Sequence, residues 1–63
     1  MDKVQVFIRD LDSDIIEQVL DDSDLVDWEF LGDERYVLTL GTFTDLGDVI
    51  EQLENAGADV EEV

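Results

Sequence analysis

The chain has 63 residues, of which 19 are Asp or Glu and 3 are Lys or Arg, giving a formal net charge of −16 at pH 7. Cys, His and Pro are absent, which excludes disulfides, zinc–thiolate sites and imidazole chemistry. A domain this short buries only about 60% of the surface its unfolded chain exposes. Its 44% hydrophobic residues, arranged periodically, nonetheless argue for one folded domain over residues 1–63 rather than for an acidic disordered chain.

Met1 leads straight into a strand pattern with no basic n-region and apolar h-region behind it, and no apolar run approaches the ~20 residues that span a bilayer. A soluble cytoplasmic protein without membrane contact is expected. Residues 3–9, KVQVFIR, alternate strictly. Val4, Val6 and Ile8 share one face and Lys3, Gln5, Phe7 and Arg9 the other, the pattern of a half-buried strand. A short helix follows, capped by Asp12 or Ser13, with Ile15, Ile16, Val19 and Leu20 on one side and Leu11 placed as a hydrophobic staple.

Residues 25–31 read as a second strand with Val26, Trp28 and Phe30 on one face. Gly32-Asp33 marks a hairpin into a third strand over residues 35–42. A three-residue loop puts Leu31 opposite Arg35 and sets Phe30, Trp28 and Val26 against Tyr36, Leu38 and Leu40. A two-residue turn starting at Gly32 would shift every pair by one; the longer loop is preferred because it joins the two apolar faces. Trp28 and Tyr36 are read as core residues. Thr44 or Asp45 caps a second helix with Leu46, Val49, Ile50 and Leu53 at i, i+3, i+4, i+7 spacing, and Gly57 suits the left-handed stop after it. Residues 58–63 form a weak, charged edge strand.

The element order βαββαβ with right-handed crossovers predicts an α+β fold: a ferredoxin-like sandwich with a four-stranded antiparallel sheet, order 4-1-3-2, and both helices on one face. The other face then carries Lys3, Gln5, Phe7 and Arg9, Arg35, Val37 and Thr39, and Leu25, Asp27, Glu29 and Leu31. All three cations of the chain lie there. Phe7, Val37 and the flanking leucines make a semi-apolar patch rimmed by those cations. Phe7, Arg9, Arg35, Val37 and Thr39 are therefore the candidate contact residues for a protein partner or a second copy. The plainer alternative is that Lys3, Arg9 and Arg35 pair with Asp27 and Glu29 across strands. Direct nucleic-acid binding is not expected, because stacked-base readers use several aromatics in a basic setting.

Tests for chemistry come out bland. Asp10, Asp12 and Asp14 match the first ligand positions of a calcium loop, but Ile15 stands where the turn glycine belongs and Asp21 where a bidentate Glu belongs. A capped helix start explains them, with at most non-specific hydrated cations there or around residues 21–24. No His, Cys, phosphate loop or nucleophile elbow is present, so neither enzyme activity nor a cofactor is expected.

The acidity has two readings. Asp48, Glu51 and Glu54 have no helical cation partner, and residues 20–24, LDDSD, place anions at a helix C-terminus, where the macrodipole disfavours each by about 0.3–1 kcal/mol at low salt. Molar salt shortens the Debye length to about 3 Å and screens this repulsion. The composition resembles that of haloarchaeal proteins, from salt-accumulating archaea. The alternative is an acidic nucleic-acid mimic, with Asp21, Asp22, Asp24, Glu51 and Glu54 imitating phosphates for a basic partner.

The strand–helix order together with residues 44–63, TDLGDVIEQLENAGADVEEV, resembles small ferredoxin-like regulatory modules: ACT-type amino-acid-sensing domains and heavy-metal-associated domains. The resemblance implies a module that associates through its sheet or helices and regulates a partner. The paired cysteines that follow the first strand of the metal-associated family are missing, so thiolate metal trafficking does not carry over. Where the ACT family has a Pro-Gly pair, this chain has Leu11-Asp12-Ser13.

Overall fold

The structure, a computed structural model, describes residues 2–63. It consists of β1 (Asp2–Arg9), α1 (Ser13–Asp22), β2 (Asp27–Gly32), β3 (Arg35–Leu40), α2 (Leu46–Asn55) and β4 (Asp59–Glu62). The four strands form one antiparallel sheet in the order β2-β3-β1-β4, the expected order read from the other edge. The fold is the ferredoxin-like α+β sandwich.

The core lies between the helices and one side of the sheet. Val6 and Ile8 from β1, Tyr36 and Leu38 from β3, Ile16 and Leu20 from α1, Val49 and Leu53 from α2, and Ala58 are buried, with no charged residue among them. Val4, Leu11, Val19, Trp28, Leu40, Leu46 and Val60 pack around them. Each fully buried aliphatic contributes roughly 1.5–3 kcal/mol relative to exposure, so this small set carries the domain.

The helix ends follow local chemistry. Asp12 stands at the N-cap of α1 and its carbonyl accepts from Ile16 N–H at 3.0 Å, but its carboxylate makes no capping bond. Asp45 caps α2 through its side chain, which accepts from Gly47 N–H at 2.9 Å. Thr44 instead ties two loops, donating to the Asp24 carbonyl and accepting from Gly41 N–H. At the end of α2, Ala58 N–H donates to Leu53 C=O and Gly57 N–H to Glu54 C=O, each at 3.0 Å, with Gly57 at φ 111°. This is a Schellman closure whose hydrophobic contact is Ala58 on Leu53.

The hairpin differs from expectation. Phe30 pairs with Tyr36 and Trp28 with Leu38, as read, but Gly32 faces Arg35 and Leu31 is bulged out of the ladder. The turn itself is Asp33-Glu34, at φ 52° and 65°. Positive φ at both central residues is the combination that suits the twist of a two-residue hairpin. The extra residue is absorbed in the bulge, which preserves both apolar faces.

The ends of the second strand are shorter than the hydrophobic pattern suggested. Leu25 packs against the core and Val26 lies before β2, its N–H donating to the Thr39 carbonyl at 3.0 Å. Val26 and Phe30 are 53% and 54% exposed, because two ten-residue helices cover the central strands and leave the outermost one partly bare. Ile15, expected on the buried side of α1, is 41% exposed, since Ile16 and Leu20 alone face the core squarely.

Candidate functional site

The face of the sheet away from the helices assembles residue by residue from the register. Lys3 lies beside Thr39 and Thr39 beside Asp27; Gln5 lies beside Val37 and Val37 beside Glu29. Phe7 sits between Arg35 and Glu61, and Arg9 opposite Asp59. The structure therefore gathers Phe7, Arg9, Arg35, Val37 and Thr39 on one surface, with all three cations. Leu25 is missing from it, being packed on the core side. Leu31 sits in the bulge at its edge.

Charge on this surface is closer to balance than on the chain as a whole. The strands bring three cations and four carboxylates (Asp27, Glu29, Asp59 and Glu61) to it, and the hairpin turn adds Asp33 and Glu34 against the arginines, a local net of −3 against −16 for the chain. Asp59 and Glu61 were not singled out from the sequence. Strict alternation from buried Ala58 and half-buried Val60 would have revealed them.

The arginines are held by acids other than the expected pair. Arg9 spans Glu61, at 3.3 Å from Nη1, and Glu34, at 3.8 Å from Nε. Its guanidinium also lies over the Phe7 ring, 4.9 Å from the centroid. Arg35 reaches Asp33 at 3.9 Å, and its Nε is buried without a partner among the described residues. Asp27 and Glu29 form none of the ion pairs found among the described residues. The reason is geometric: β4 and the hairpin turn bring carboxylates to the ends of Arg9 and Arg35, whereas β2 faces Thr39 and Val37.

On the helix side, Tyr36 is the centre of an aromatic group. Its ring lies 5.0 Å from Phe30 and 6.2 Å from Trp28. The Trp28 indole N–H donates to Asp21 at 2.9 Å, so one of the would-be phosphate mimics is engaged within the fold. Burial, and secondarily the Glu17 carboxylate, push the Tyr36 phenol above its ordinary range.

Asp10, Asp12 and Asp14 lie at the β1–α1 junction, at a left-handed position with φ 67°, at the N-cap and in the first turn. No three carboxylates converge on a metal-sized site among the described residues, and no pocket forms there. Among the described residues no helix is long and apolar enough to cross a membrane. One feature lacked any signal in the hydrophobic pattern: Phe43, 93% exposed in the β3–α2 loop.

No protein-family model matches the chain, and no curated protein matches it. Among solved structures it is similar to the copper-binding domain of HMA7, a P-type ATPase. That likeness has a TM-score of 0.83 at 21% identity and covers 100% of this chain and 95% of the other. It shows the fold. The donors for copper do not come with it. Soft copper sites use thiolate, thioether and imidazole ligands, and the chain has no Cys and no His. Asp10, Leu11 and Asp12 follow the first strand instead.

Proposed function

We propose that this chain is a non-enzymatic binding or regulatory module of a salt-accumulating organism, docking a protein partner or a second copy through its open sheet face. The observation that carries this reading is the distribution of charge. A surface with a local net of −3 on a chain of −16 is where another acidic protein approaches with least repulsion. Phe7 and Val37 supply apolar area there, Thr39 a neutral polar edge, and Arg9 and Arg35 cations that can exchange internal carboxylates for those of a partner.

Phe7→Asp tests the reading. In salt that supports folding, sedimentation should show association lost while far-UV circular dichroism stays unchanged. An unchanged oligomer and unchanged partner capture would overturn it. If the wild-type chain instead folds fully in dilute buffer and binds basic proteins tightly and salt-sensitively, the acidic-mimic reading takes its place.

A further inference from the structure

A separate surface is left unpartnered at the β2 edge of the sheet. β2 pairs with β3 on one side only. The Trp28 backbone N–H is satisfied by the carboxylate of its neighbour Asp27, at 2.8 Å, a side chain standing in for a strand acceptor. The other edge, β4, is guarded by Asp59, Glu61 and Glu62 over four residues. β2 has no such guard on its helix side. Val26, Phe30 and Leu31, in or beside β2, are among the few large hydrophobics exposed on the chain, at 53%, 54% and 42%.

We propose that β2 accepts an extended basic segment of a partner protein as a fifth strand. The two sides of β2 specify what that strand carries. Residues laid beside Trp28 and Phe30 on the helix side meet aromatic surface and want apolar side chains. Residues laid beside Asp27 and Glu29 on the open side meet carboxylates and want Lys or Arg. The matching segment alternates cation and aliphatic, and the backbone ladder gives it a fixed register. A second copy of this chain does not fit. Antiparallel β2–β2 pairing keeps each face continuous, so Asp27 and Glu29 would oppose acids of the same kind. This docking uses neither Phe7 nor Arg35 and shares only Asp27 and Glu29 with the open face.

The test uses the whole chain at the lowest salt that keeps it folded, with a capped peptide alternating lysine and valine as probe. Binding should be saturable, should shift Trp28 fluorescence, and should protect the amides of Trp28 and Phe30 from hydrogen exchange. A peptide N-methylated on the ladder side and a block-order isomer (lysines first, then valines) should bind at least tenfold more weakly. Glu29→Lys, a fully surface change, should weaken the alternating peptide by about fivefold, while Phe7→Asp should leave it unchanged. Equal binding of the N-methylated or block-order peptide would reduce the effect to general charge attraction and overturn the proposal. Protection at β4 instead of β2, or no binding, would overturn it equally.

Discussion

Three acidic residues, Asp10, Asp33 and Glu34, hold positive φ. Asp tolerates the left-handed region because its short carboxylate can bond nearby backbone, whereas Glu gains no such help. Glu34 is retained in that conformation while its carbonyl accepts from Ile8 N–H at 2.9 Å and its side chain reaches Arg9. Glu34→Gly should raise stability by about 0.5–1 kcal/mol, the relieved strain outweighing an exposed ion pair. Thermal unfolding at constant salt measures it, and a loss of stability would show that the Arg9 contact matters more than the strain. Tyr36 offers a second residue-level check. Its folded-state pKa is raised by burial and by Glu17, so the native state holds the proton more tightly than the unfolded chain. That stabilisation is complete below the unfolded pKa near 10 and is lost as pH rises through the folded value. Alkaline unfolding should therefore steepen above about pH 10, and Tyr36→Phe should flatten it.

Neither helix carries a basic residue in its last turn. α1 ends instead on Asp21 and Asp22, closed by Ser23, whose hydroxyl donates to the Leu20 carbonyl at 2.6 Å. Asp22→Lys should stabilise the fold by about 0.3–1 kcal/mol at low ionic strength, and the gain should shrink toward zero in molar KCl. Denaturant titrations at both salts separate this from a packing effect, because Asp22 is exposed. Helix α2 was the more legible of the two in sequence: cap, apolar spacing and left-handed stop all fall where the residues indicated. The start of α1 was legible only in place. Asp12 occupies the cap position, but its side chain is not used.

For the whole molecule, an unscreened charge of −16 is set against the small core that 63 residues can build. The expected outcome is a chain that is largely unfolded near zero salt and folds as KCl rises toward about 3 M, where the Debye length falls below ~3 Å. Far-UV circular dichroism with sedimentation across that series decides it. A fully folded monomer without salt would remove the habitat explanation for the acidity.

Alternation in β1 and β3, 3.6-residue spacing in both helices and the element order determined the sheet order, both helix positions and the face on which Phe7, Arg9, Arg35, Val37 and Thr39 meet. Those are local periodicities, and each is written in the residues that obey it. Tertiary structure alone decided which carboxylates hold the arginines, because Glu61 and Glu34 are brought to Arg9 by a strand and a hairpin turn distant in sequence. It also decided that Phe30 and Val26, apolar and correctly spaced, stay half bare. Burial at an edge strand depends on how far a helix reaches across the sheet, and no pattern within β2 encodes that reach.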